Sequence, residues 1–446
     1  MLWKEKETIV ILKRKGALPV SLTLCALFTA SSRAAYTQNL YVSSDRTVAN
    51  GNPINGTYDT VRVGKDSALN NYSGIHADII GGTFNAAFFA YNTSMVNVSG
   101  GLFKNGLSPQ NATVLNFGGT AQSDDFLSVF NTATLNVTGG TINWLQNTNA
   151  ALLNFGGTAQ ANTLLTFNTS TTHVTGGTFS LNGRIQDSSN VIITGGTFNN
   201  GLDAYQSSTI TVAGGTITGG RSGHNSSTVN IGGIAQIDFL QITDNSTFNI
   251  SGANFPNGLN AVNNSTINFS GGTVGSILEA DNNSVVNFGG TTHAGSLIAA
   301  DTSTINVTGG VVTDLLGIGG TYNISGGQIA HNTLANIGEG LGANFSLYNI
   351  LGTNLTLRNA VSGIFDDGFG DLLNGVFWDL NGTLQNGDVL NTRYFDFGGS
   401  LSAPAHITGA QVVPAVPEPG SAGSLVGIAL SASLWVFRAR RRIIGI

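Results

Sequence analysis

Few residues in this 446-residue chain are of types that carry chemistry; only 9% are charged, so each candidate can be weighed singly. Asp124 and Asp125 are adjacent carboxylates, and carboxylates clustered with Lys or Arg on one face are what cleavage of an acidic polysaccharide requires. The nearest cation in sequence is Lys104, so the pair reads as a turn. Asp366 and Asp367 follow Phe365 in an acidic run that reads as a solvated loop and not as a calcium site. His173, His224, His293 and His331 are dispersed with no metal-ligand spacing. The recurring Gly-Gly pairs are not phosphate loops, because no Lys-Ser or Lys-Thr follows them. The calcium-binding nonapeptide GGxGxDxUx is absent. The sole cysteine, Cys25, lies in an apolar N-terminal run and leaves with it if that run is removed. The expectation is a chain with no catalytic residue, no metal and no cofactor.

The glycine pairs belong to a repeat. Ser303 to Gly310 reads STINVTGG, and close copies stand upstream at 133–140 (ATLNVTGG), 246–253 (STFNISGA) and 265–272 (STINFSGG). Aligning the copies on Asn306 gives Asp78, Asn97, Asn116, Asn136, Asn154, His173, Ile192, Thr211, Asn230, Asn249, Asn268, Asn287, Asn306 and Asn323, at steps of 17 to 20 that are mostly 19. Inside the phrase the period is two: Ile305 and Val307 share one face, Thr304, Asn306 and Thr308 the other. That is a half-buried strand, and Gly-Gly follows where the backbone needs φ values that a Cβ disfavours. A Thr-apolar pair comes next (Thr141-Ile142, Thr178-Phe179, Thr197-Phe198), a second short strand with Thr outward. Asn- or Asp-led turns such as Asp244-Asn245-Ser246 and Asn263-Asn264-Ser265 precede many of the first strands and align along one corner.

Two strands of this length cannot bury an apolar face alone, so successive coils must stack. The predicted fold is all-β: a single-stranded parallel β-helix, or β-solenoid, of about 19 residues per coil. Fourteen registered coils at ~4.8 Å per stacked strand give a rod on the order of 65 Å long. The hexapeptide pattern of left-handed solenoids is absent, which favours a right-handed coil. The 61 glycines and the low charge agree with this, and 41% hydrophobic residues argue against disorder.

The ends carry different information. Residues 1–35 read as a signal peptide with a helical apolar run: Lys4, Lys6, Lys13, Arg14 and Lys15 precede it, and Ser32-Arg33-Ala34 offers small residues for cleavage. Residues 36–75 read as the N-terminal cap, 76–335 as the solenoid repeats and 336–412, richer in large aromatics, as a C-terminal β-cap. In 413–446, Val416-Pro417-Glu418-Pro419 precedes an apolar run from Ser421 to Phe437 and then Arg438, Arg440, Arg441 and Arg442. The run is just long enough to cross a membrane as a helix, with the arginines holding its end on the cytoplasmic side.

This order of Pro-Glu-Pro, short apolar helix and arginine cluster resembles the PEP-CTERM sorting tail of exported bacterial proteins, over about 30 residues. The resemblance implies an exosortase-type processing enzyme as a partner and transient residence in the inner membrane through the C-terminal helix. It further implies delivery to the cell surface or the extracellular matrix, with an association with extracellular polysaccharide and biofilm. The coils more loosely resemble autotransporter-type β-helix repeats.

Between the two ends, residues 36–416 hold eight Lys and Arg against 21 Asp and Glu, a formal charge of −13. Such a body is a poor nucleic-acid binder. The expected function is that of a non-catalytic, exported structural protein. Two alternatives stay open: a glycan- or lattice-binding adhesin, with ice as a minor variant, using the outward ladder Asn97, Asn116, Asn136, Asn154, Asn230, Asn249, Asn268, Asn287, Asn306 and Asn323; or a polysaccharide lyase or hydrolase on the same scaffold.

Overall fold

The structure, a computed structural model, describes residues 38–42, 57–65, 68–220, 222–336, 346–366, 372–397 and 407–412. The signal region 1–35 and the tail 413–446, with Val416, Pro417, Glu418, Pro419, Arg438, Arg440, Arg441 and Arg442, lie outside the described residues. Every regular element described is a strand.

The strands stack in parallel as a β-solenoid of about fourteen turns, about 19 residues apart. One coil shows the plan. Thr209–Val212 pairs with Asn190–Ile193 in the coil before and with Thr228–Ile231 in the coil after. Thr216–Ile217 pairs in the same way with Thr197-Phe198 and Gln236-Ile237. Ser222–Gly223 pairs with Asp203-Ala204 and Gln241-Ile242. Each coil thus contributes to three parallel faces, here called first, second and third in chain order. Sequence periodicity indicated only the first two. The third strand is about three residues long, as in Leu202–Ala204 and Leu259–Ala261, and its outward residue changes from coil to coil, so it leaves no repeated phrase.

The register is the one the asparagine alignment requires: Asn97 pairs with Asn116, Asn116 with Asn136, and Asn287 with Asn306. Leu135, Ile267 and Ile305 are fully buried, as the period of two demands. On the second face Phe84, Phe179 and Phe198 point inward, and the rings stack between coils, Phe84 on Phe103 at 4.4 Å and Phe179 on Phe198 at 4.6 Å. Offset stacking of this kind adds about 0.5–1.5 kcal/mol per pair to the burial itself.

Two corners impose backbone geometry. Before the first strand, Asn131, Asn149, Asn168, Asn225 and Asn263 all have φ near +60°. Asn tolerates that region because its short side chain bonds locally. Two residues after this corner a small residue turns inward: Ala133, Ala151, Ser170, Ser189, Ser246 and Ser265 are buried, and the Ser189 and Ser246 hydroxyls donate to the carbonyls of Gln186 and Thr243 at 2.6 Å. At the glycine corner the strand often does not stop. Thr171–Phe179 and Asn190–Phe198 run through it with a shift in register, and the second glycine of each takes the positive φ.

The C-terminal part departs from pure stacking. Gly352–Asp366 and Leu372–Leu384 form an antiparallel hairpin, extended by Val389–Phe397. The last strand returns to the solenoid, its residues 393–396 pairing in parallel with 333–336. The core here changes from phenylalanine to tyrosine and tryptophan: Tyr322 stacks on Tyr348 at 4.9 Å, and Trp378 and Tyr394 are buried beside them. At the other end, Gln38–Val42 and Thr57–Val63 already pair in parallel with each other, and Thr57–Val63 pairs with the coil that follows.

The glycine corner yields a paired test. Gly177 has φ +80°, and a Cβ there would lie 2.6 Å from both the Phe155 ring and the Ala159 carbonyl. Gly74 has φ +74° but open space around it. Gly74→Ala should cost about 1–2 kcal/mol from backbone strain alone. Gly177→Ala should cost about 1–3 kcal/mol more through overpacking. Denaturant midpoints of the two variants, compared with the wild type, check the order.

Candidate functional site

The candidate residues are distributed by the coil and are not gathered by it. Asp124 and Asp125 lie not in a turn, as the sequence suggested, but within the strand Gln122–Val129, Asp124 exposed and Asp125 half-buried, and among the described residues no Lys or Arg pairs with either. Among the described residues no group of three or more His, Cys, Asp or Glu converges to hold a metal ion. His173 stands in the ladder register between Asn154 and Ile192. His224 lies on the third face, its ring stacked on Tyr205 at 4.7 Å with 11° between planes. A small void of about 20 Å³ inside the stack, lined by residues such as Leu202, Ile210 and Phe248, is apolar and has room for no ligand. No helix among the described residues is long and apolar enough to cross a membrane.

The asparagine ladder of the first face is a hydrogen-bond chain. Asn97 Nδ2 donates to Asp78 Oδ1, Asn116 to Asn97, Asn136 to Asn116 and Asn154 to Asn136, each at 2.8 Å. His173, Ile192 and Thr211 interrupt it. It resumes with Asn249 on Asn230 and continues through Asn268, Asn287, Asn306 and Asn323 at 2.7–2.9 Å. It then passes two positions that the repeat alignment does not reach: Asn349 donates to Asn323 over a gap of 26 residues, and Thr408 donates to Asn349 over 59. Each interior amide therefore spends one donor and one acceptor on its neighbours along the stack. That arrangement holds adjacent coils in register, and it lessens what the row can offer to an outside lattice.

A second ladder follows the positive-φ corner, where Asn149 donates to Asn131 and Asn168 to Asn149 at 3.2 and 3.0 Å. Further along, the carboxyl of Asp281 is held above the usual carboxylate range by partial burial and then by a hydrogen bond with Asp301. Asp388 in the C-terminal hairpin lies below that range, because Asn386 Nδ2 donates to it at 2.6 Å and the Gly327 amide at 2.7 Å.

The third face differs from the other two in carrying aromatic rings outward. Phe89 and Tyr91 lie 5.8 Å apart, with Arg62 over the first ring and Lys65 over the second. Arg184 lies 4.9 Å over the ring of Tyr205, on which His224 stacks. Between these groups, Phe126 and Trp144 pair across adjacent coils with centroids 5.4 Å apart, 39% and 37% exposed. Sequence reasoning missed this cluster because the residues occupy one register position of a strand that has no repeated phrase. The usable signal was a pair of large aromatics at a one-coil spacing, Phe126 and Trp144.

Comparison with protein-family models, with curated proteins and with solved structures finds no match.

The ladders and the two shifted carboxyls each give a test. Asn268→Ala removes the bonds to Asn249 and Asn287 and should lower stability by about 1–2 kcal/mol, read from chemical denaturation. For Asp281 the folded carboxyl binds its proton more tightly than the unfolded one, so its contribution is present at acid pH and is lost as pH rises through the raised folded value. Asp281→Asn should raise the melting temperature at pH 7 and change it little at pH 3. Asp388 has the opposite sign: its contribution is present above the ordinary carboxylate value and is lost as pH falls through the depressed one. Asp388→Asn should lower the melting temperature at pH 7 but not at pH 2.

Proposed function

We propose that this chain is a non-catalytic structural protein, exported by a bacterium and displayed at the cell surface or in the extracellular matrix. The observation that carries the reading is the inter-coil amide ladder from Asp78 to Asn154 and from Asn230 to Thr408. Its polar groups are committed to holding coil on coil, which is the requirement of a scaffold and not of a catalytic groove. The scattering of Asp124, Asp125, His173 and His224 over different faces and coils supports the same reading.

The two ends supply the address in this proposal. Residues 1–35 act as the signal helix. The 413–446 tail acts as a PEP-CTERM sorting signal: an exosortase-type enzyme reads Val416, Pro417, Glu418 and Pro419 while the apolar helix and Arg438, Arg440, Arg441 and Arg442 hold the chain in the inner membrane. The body, wound right-handedly, is then released to a matrix containing extracellular polysaccharide.

Mass spectrometry of the surface and secreted fractions tests the address. The expected mature species begins just after Ala34 or Ala35 and lacks Ser421 to Arg442. Replacing Pro417, Glu418 and Pro419 together by alanine should leave the tail on the chain. Release of that variant at wild-type levels, or a wild-type surface form that keeps the tail, would overturn the sorting reading.

A further inference from the structure

The aromatic groups of the third face are not equivalent. In two of them a cation lies over a ring: Arg62 over Phe89 with Lys65 over Tyr91, and Arg184 over Tyr205. The Phe126–Trp144 pair has no such cover. Along the stack, Trp144 is followed in register by Thr163, a small residue that is itself only 5% exposed. Phe126 is preceded by Gly106, whose added Cβ would lie 2.6 Å from the Phe126 carbonyl, so that position presents no side chain at all. Each ring of the pair therefore has its partner on one side and a small residue on the other. The pair is a step with an open ledge at both ends.

Polar groups flank that step. Asn143 and Asn162 stand beside Trp144 and Thr163 in the chain and form their own short ladder, with Asn162 Nδ2 donating to Asn143 Oδ1 at 2.8 Å. This leaves an N–H of Asn162 for an outside acceptor and its carbonyl oxygen for an outside donor. On the other side, the Ser128 hydroxyl donates to Gln146 Oε1 at 3.2 Å, a bond that does not use the amide N–H groups of Gln146. One coil beyond Asn162 in the same row, Leu181 is 45% exposed, and its amide N–H donates to the Asn162 carbonyl at 2.7 Å.

We propose that Phe126 and Trp144 form a stacking platform for a sugar ring of a neutral, extended polysaccharide, with Asn143, Asn162 and Gln146 bonding its hydroxyls. A pyranose has an apolar C–H face and a rim of hydroxyls, which matches an aromatic face bordered by amides. A nucleic acid also stacks on exposed rings, but those sites couple the rings to a positive groove. Here Asp124 and Asp125 lie within two residues of Phe126, Lys104 one coil before them is the single cation in that register, and residues 36–416 are acidic overall, which disfavours phosphate and acidic glycans alike. Two rings and a leucine are far smaller than the ~1,000 Å² that a specific protein interface needs. The parallel stack adds a geometric match: register is constant from coil to coil, so a linear polymer lying along the axis meets neighbouring coils at ~4.8 Å intervals.

This inference supplies a ligand for the scaffold proposed above and fails independently of it, because it does not require the tail to be cleaved. The test is native affinity electrophoresis of the full-length protein in a polyoxyethylene detergent, in gels containing hydroxyethyl cellulose, soluble starch or alginate. At least one of the two neutral glucans should retard the wild type, and the acidic alginate should not. Trp144→Ala should weaken retardation about tenfold, the loss of one stacked ring with its contacts. Trp144→Phe, which keeps a ring, should restore most of it. Ile234→Ala, an 86% exposed side chain away from the third face, should change nothing. Thermal melting of each variant separates lost binding from lost fold. The proposal is overturned by an absence of retardation with both neutral glucans, by equal retardation of Trp144→Ala and wild type, or by retardation in alginate that matches or exceeds that in the glucans. Trp144-dependent binding to single-stranded DNA or to phosphatidylcholine vesicles in place of glucan also overturns it.

Discussion

No coil of this protein can enclose a core alone, and the main-chain hydrogen bonds from each coil to the next are the constraint on which the rest depends. A coil presents only a few inward side chains, too few to offset the entropy of ordering it. Stacked on its neighbours at constant register, it shares one continuous interior that runs from Val42 to Tyr394. Parallel pairing in register then places like on like: phenylalanine over phenylalanine, serine over serine, asparagine over asparagine. The repetition in the sequence is the consequence of that requirement.

The constraint acts unevenly around the coil. The first face and the two backbone corners must repeat, because positive φ at the asparagine turn and at the second glycine leaves few residue types free of strain. Small deviations are absorbed at the glycine corner, where register shifts occur without moving the first strand. The third face carries no such demand on its outward residues. Rings, cations and carboxyls accumulate there, as in Arg184, Tyr205 and His224, and a chemical distinction between one coil and another can be written there without disturbing the stack.

At the C-terminal end the problem changes from repetition to closure. A stack that stopped at a regular coil would expose apolar side chains and unpaired strand edges. The antiparallel hairpin of Gly352–Asp366 and Leu372–Leu384 departs from the stack, and its extension returns to pair along the third strand of the solenoid, bringing Trp378 and Tyr394 into the core. The hydroxyl of Tyr322 lies 2.8 and 2.9 Å from the carbonyls of Leu297 and Leu316, so a larger, polar-tipped ring fills the core here with its hydroxyl bonded to the main chain.

By itself, the sequence determined the strand of the first face, its inward set of Leu135, Ile267 and Ile305, the Thr-apolar second strand and the step near 19. These follow from local periodicity and glycine placement, which are properties of neighbouring residues. It did not disclose the third strand, the continuation of the ladder to Asn349 and Thr408, or the Phe126–Trp144 step. Asn323 and Asn349 are 26 residues apart, and Asn349 and Thr408 are 59 apart with a hairpin between them, so no fixed period links them. Phe126 and Trp144 become neighbours only because Asn143 to Asn147 lies directly over the coil before it. Tertiary structure alone decided these, because contact across the stack depends on how much chain each coil spends in its bends, and that length is set by packing around the whole turn and not by any local pattern.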